Sequence, residues 1–199
     1  MSKKKESKES DFLFVGPMAA GKTCIMKALS GGTAPDFHLQ SGIEKGKRGF
    51  IVNPKKLYEI GGRQINNHVI IDYMRSTKNI CFVFNGIELL GELNNWEKGG
   101  INTSFLTHWY RESRKIEDSG SKNCHIWFIA THKDEYKGDD MVKDIIQATH
   151  IANDKYKEIA GSSSKRYIYH DSLNGALFAV NAMKKSDVID IYCKIKSKG

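Results

Sequence analysis

Asp11-Phe12-Leu13-Phe14-Val15-Gly16-Pro17-Met18-Ala19-Ala20-Gly21-Lys22-Thr23 is the stretch whose reading decides the fold. Residues 11–15 read as a short buried strand, and residues 16–23 match GxxxxGK[ST] in full, ahead of a helix expected over about 22–30. Glycines in such a turn let backbone N–H groups curl around phosphate oxygens, and the helix N-terminus adds a field favourable to anions. Lys22 is placed to reach β- and γ-phosphates, and the Thr23 hydroxyl to coordinate Mg²⁺. The candidate nucleotide-binding residues are therefore Gly16, Met18, Ala19, Ala20, Gly21, Lys22, Thr23 and Cys24. The motif specifies a nucleotide phosphate with Mg²⁺ and names neither the base nor the reaction.

Outward from the loop, strands and helices alternate. Residues 1–10 are a polar tail, expected to be disordered, ahead of a single domain over 11–199. Gly31–Gly46 holds glycines, prolines and polar residues without periodicity and reads as a loop. Residues 48–52 and 55–60 read as two strands of a hairpin turning at Asn53-Pro54. A helix is expected around 69–76, a buried strand at 80–84, a loop at 91–100 and a helix near 103–118. Then follow a buried strand at 125–130, a helix at 139–160 capped by Asp139 or Asp140, a strand at 175–180 and a final helix from a Ser186 cap to about Lys196. The segment Gly161–Asn174, with Ser162-Ser163-Ser164-Lys165-Arg166, reads as an inserted surface loop. This alternation implies a mainly parallel sheet covered on both faces, with the hairpin adding one antiparallel edge strand.

Composition narrows the class. The 199 residues suffice for one full hydrophobic core. No apolar run is long enough to span a membrane, and residues 1–10 lack a secretory core. Position 2 is serine, so N-myristoylation is excluded, and the C-terminus has no prenylation cysteine. The four cysteines, Cys24, Cys81, Cys124 and Cys193, form no CxxC pair and read as thiols of a reducing, cytoplasmic compartment. The net charge of +8 is spread along the chain, with lysine clusters only at its two ends. No nucleic-acid partner and no stable membrane anchor are expected.

Leu57-Tyr58-Glu59-Ile60-Gly61-Gly62 resembles the DxGG element of Arf-like small GTPases of the Ras superfamily. The similarity continues through Tyr73, Thr77 and Phe82-Val83, and from the phosphate loop to the last strand it covers nearly all of the chain. The resemblance implies a P-loop NTPase three-layer sandwich, with a six-stranded sheet and helices on both faces. It implies GTP/GDP and Mg²⁺ as ligands, and switch loops that order around the γ-phosphate to contact protein effectors or regulators. By the same resemblance, Gly62 gives a backbone N–H to the γ-phosphate, and Glu59, standing where the family has Asp, contacts the metal. Ser41 is the candidate metal ligand of the first switch. Thr131-His132-Lys133-Asp134 resembles [NT]KxD: Asp134 would accept from N1 and N2 of guanine, and His132 replaces the lysine that packs on the base. Asn181-Ala182 resembles the last element, with the Ala182 N–H directed at guanine O6.

The family's catalytic glutamine position is Arg63 here, and Gln64 follows it. Either Gln64 moves into place, or hydrolysis is slow and partner-dependent, or it is lost. The expected function is a divergent GTPase switch; the alternative is a pseudo-GTPase binding module that holds nucleotide without turnover. A small-metabolite kinase or ATPase is disfavoured, because no Arg-rich lid follows the phosphate loop and Asp134 has no use in an adenine site.

Overall fold

Leu13, Val15, Ile80, Phe82, Phe84, Phe128, Ala130 and Leu177 point to one side of a sheet, and Phe12, Phe14, Cys81, Val83, Trp127, Ile129 and Val180 pack on the other. Period-two alternation with both faces apolar explains why these strands read as unbroken apolar runs. The computed structural model describes residues 10–29, 43–45, 57–60, 74–75, 77–95, 100–105, 107, 125–160, 173 and 175–198. Its strands are β1 (Ser10–Val15), β2 (Ile43–Lys45), β3 (Leu57–Ile60), β4 (Thr77–Asn85), β5 (His125–Thr131) and β6 (Leu177–Ala179). They lie in the order β2-β3-β1-β4-β5-β6, parallel except for β2 against β3. The helices are α1 (Lys22–Leu29), α2 (Gly86–Asn94), α3 (Met141–Ala160) and α4 (Lys185–Lys198).

Helices α2 and α3 cover the first face through Leu89 and Leu93, and through Met141, Ile145, Ala148 and Ala152. Helices α1 and α4 cover the second through Ile25, Met26 and Leu29, and through Val188, Ile191, Tyr192 and Ile195. Each set recurs at three- and four-residue spacing, the signature of a helix with one apolar stripe. The result is the α/β layered architecture with a mainly parallel sheet that the sequence implies.

Several boundaries differ from the expectation, each for a physical reason. Ser10 belongs to β1, not to a tail, because it is in register with Thr77 of β4. The same pairing draws Thr77, Lys78 and Asn79 into β4, ahead of the apolar run at 80–84. The described partner of β3 is Ile43–Lys45, inside the segment read as loop, and the strand expected at 48–52 lies outside the described residues. The register pairs Ile43 with Ile60 and Lys45 with Tyr58, and the turn expected at Asn53-Pro54 lies outside the described residues. An edge strand of three residues is too short to show alternation, so only its pairing reveals it.

The sequence pattern gives no sign of helix α2, and residues 91–94 fall in the stretch that reads as a loop. Asn85 caps it, its side-chain oxygen accepting from Ile87 N at 3.0 Å and Glu88 N at 3.3 Å. Burial of Leu89 and Leu93 on one stripe outweighs the weak propensity of Gly91. Helical residues resume at 101, where the Glu92 carboxylate accepts from Asn102 N, Thr103 N and Thr103 Oγ1. Most of the helix expected at 103–118, most of that at 69–76, and most of Gly161–Asn174 lie outside the described residues. Asp140 is the cap of α3, accepting from Val142 N and Lys143 N at 3.0 and 3.1 Å. Ser186 is not the cap of α4: the helix starts at Lys185, and the Lys184 carbonyl accepts from Asp187 N and Val188 N.

Candidate nucleotide site

All the loops in question leave the C-terminal edge of the parallel strands, because β1, β4, β5 and β6 run in one direction. Crevices at that edge are where such sheets bind ligands. The first loop joins β1 to α1. A Cβ on Gly16 would lie 2.0 Å from the Val83 carbonyl oxygen, so only glycine allows the loop to leave β1 pressed against β4. Ala19 and Gly21 take left-handed backbone angles, φ +60° and +86°. Left-handed residues in a tight turn are the kind of backbone that forms anion-binding concavities. Lys22 is buried, at 5 % exposure, and its Nζ donates to the Pro17 carbonyl at 2.6 Å. The ammonium group is thus held at the mouth of the turn, where a cation suits a phosphate. Thr23 and Cys24 follow, both half-buried, in the first turn of α1.

The second loop begins where β5 ends. Thr131 is fully buried, with its hydroxyl 3.0 Å from the carbonyl oxygens of Ala20 and Phe84 and 2.9 Å from His132 Nδ1. His132 is left-handed at φ +62°, and Glu135 N and Tyr136 N donate to the carbonyls of His132 and Lys133. This turn presents Asp134 as an exposed side chain. The third loop leaves β6. Lys133 N donates to the Val180 carbonyl, tying the second and third loops together. Asn181 Oδ1 accepts from Met183 N, an Asx turn that holds the buried Ala182 in place.

The three loops meet at Gly21. A Cβ there would stand 3.2 Å from both Thr131 Cγ2 and Ala182 Cβ. Thus Gly16 to Cys24, Thr131 to Asp134, and Asn181 with Ala182 are brought together. Gly62, Arg63, Gln64 and Ser41 lie outside the described residues. The backbone of Glu59 is in β3, in register with Phe14 of β1 and so near the strand end that feeds the phosphate loop. Among the described residues no group of three or more His, Cys, Asp or Glu is placed to hold a metal ion.

Supporting residues escaped the sequence reading. The Tyr136 hydroxyl donates to Asp144 Oδ2, clasping the loop that bears Asp134 onto α3. That bond, together with desolvation and the nearby charges of Asp144, Asp139 and Asp140, pushes the phenol up from 10.0 to about 12. A tyrosine and an aspartate eight residues apart carry no sequence signal, because a turn and a helix start separate them.

No protein-family model and no curated protein sequence matches the chain. Solved structures do match its shape. One is a probable GTP-binding protein, engB, with a TM-score of 0.59 and 13% identity over 94% of this chain and 97% of that one. Another is the mammalian SRP receptor, with 0.63 and 16% over 95% and 100%. A third is the bacterial selenocysteine-specific elongation factor EF-Sec, with 0.50 and 17%, where the match covers 95% of this chain and only 28% of the larger protein. At these identities what is shared is the architecture: the chain has the α/β fold of P-loop GTPases.

Proposed function

We propose that this protein is a divergent small GTPase, related to the Arf-like kind, that binds GTP and GDP with Mg²⁺ and acts as a nucleotide-dependent switch. The observation that carries the reading is the meeting of the Lys22 loop, the Thr131–Asp134 loop and the Asn181-Ala182 loop around Gly21. The first suits phosphates; the exposed Asp134 carboxylate suits the N1 and N2 donors of guanine, which adenine lacks. Among the described residues the side chain suited to a hard cation is Thr23, a single hydroxyl beside the phosphate loop. That donor set fits Mg²⁺, which takes most of its other ligands from phosphates and water. Held by the Thr23 hydroxyl, the ion would neutralise phosphate charge. Glu59, Ser41 and Gly62 complete the site in this reading, and the switch segments that bear them contact protein effectors or regulators. Arg63 and Gln64 carry hydrolysis, slowly or with a partner's help.

The test is to identify nucleotide released on denaturation, then titrate the stripped protein with GTP, GDP and ATP in Mg²⁺. Guanine-selective binding that Lys22→Ala abolishes supports the proposal; equal affinity for ATP removes the role of Asp134. A second reading, a pseudo-GTPase that binds without turnover, is favoured by Arg63 standing where the family has glutamine. Phosphate release at the rate of the Lys22→Ala control would decide for it.

A further inference from the structure

The Thr131 hydroxyl touches both the phosphate loop, at Ala20, and the end of β4, at Phe84. Its third neighbour is His132 Nδ1. A threonine hydroxyl has one proton and two lone pairs, whereas carbonyl oxygens only accept. Were Nδ1 also an acceptor, three acceptors would share one proton at a side chain with no solvent access. With the proton on Nδ1 the count improves to two protons for three contacts: the ring donates to a Thr131 lone pair, and Thr131 donates to the carbonyls. The left-handed backbone at His132 is what lets the ring reach back toward the preceding side chain, since extended neighbours point to opposite sides.

We propose that His132 is a positioning residue held as its Nδ1–H tautomer. By donating to Thr131 Oγ1 it fixes the hydroxyl rotor, commits the hydroxyl proton to Ala20 and Phe84, and so locks the base-side loop onto the phosphate loop. The ring keeps Nε2 as its one unprotonated acceptor. Loss of the ring N–H frees the Thr131 rotor and loosens both loops at once, so nucleotide leaves faster. This effect on nucleotide rests on the GTPase reading above; the tautomer itself is a property of the folded chain.

Long-range ¹H–¹⁵N correlation spectra of the full chain, free of nucleotide, read both ring nitrogens. A pyrrole-type Nδ1 and a pyridine-type Nε2 are expected for His132, with that preference lost in Thr131→Val. A pyridine-type Nδ1 in the unaltered protein overturns the proposal. In a second arm, release of a fluorescent GDP analogue is timed in His132→Asn and His132→Ala. Asparagine tolerates the left-handed backbone and keeps a side-chain N–H, so it is expected to release nucleotide more slowly than alanine does. Alanine is expected to release about three to ten times faster, the equivalent of one hydrogen bond. Equal rates in the two variants overturn the positioning role. A chain that binds no guanine nucleotide sinks the GTPase reading instead, and the spectra then decide the tautomer alone.

Discussion

Gly16 has no room for a methyl group, because the atom it would strike belongs to the backbone of β4. Relief requires the loop or the central strand to move, so Gly16→Ala is expected to cost about 1–3 kcal/mol. A shifted urea midpoint with an unchanged slope would report it, and an unshifted midpoint would contradict the close approach. Tyr136 offers a second residue-scale test. Its folded pKa, about 12, lies above the ordinary 10.0, so its contribution to stability is whole below pH 10 and lost as pH rises through 12. Ultraviolet titration is expected to show a phenol ionising near pH 12 whose contribution disappears in Tyr136→Phe. The variant's stability should also fall less between pH 10 and 12 than the parent's. Near pH 7 this group adds no pH dependence.

At the scale of elements, the helix starts separate what sequence signals can and cannot do. Asp139 and Asp140 both sit just before an apolar stripe and either is legible as a cap; Asp140 is the one that accepts from two orphan N–H groups of α3. Asp140→Ala is expected to cost about 1 kcal/mol. Ser186 looks like a cap in sequence yet lies inside α4, exposed, and Ser186→Ala is expected to change stability by less than about 0.5 kcal/mol. Chemical denaturation of the two variants side by side checks the assignment, and equal losses would contradict it. Glu92 shows a cap no local pattern reveals, since its carboxylate reaches from α2 to residues 102 and 103. Glu92→Ala strands those donors and is expected to cost about 1–3 kcal/mol.

For the whole molecule, one sheet serves two cores. Phe82 lies in the layer beneath α2 and α3, and Phe14 in the layer beneath α1 and α4; both are essentially inaccessible. Truncating either to alanine is expected to cost about 3–5 kcal/mol. Because β1 and β4 pair side by side, the loss on one face must reach the other. Fluorescence and circular dichroism are therefore expected to report a single coincident unfolding transition in both variants. A separate, earlier transition for one face would contradict a shared scaffold.

What the sequence determined by itself was local or continuous along the chain. The phosphate loop was legible because strand, glycine turn, lysine and helix start occupy adjacent positions, and β1, β4 and β5 were legible because each is buried on both faces. A cap at Asp139 or Asp140 was legible because a cap's partners are two and three residues away, and the structure selects Asp140. The tertiary structure alone decided whatever depends on distant partners. It set the extension of β4 to Thr77, through Ser10, and the existence of β2, through β3. It placed α2, where packing overrode Gly91. It also set the convergence on Gly21, where Thr131 reaches Ala20 across 111 positions of chain. Hydrogen bonds and contacts between such residues leave no spacing to read, because the parallel sheet, not the chain, makes them neighbours.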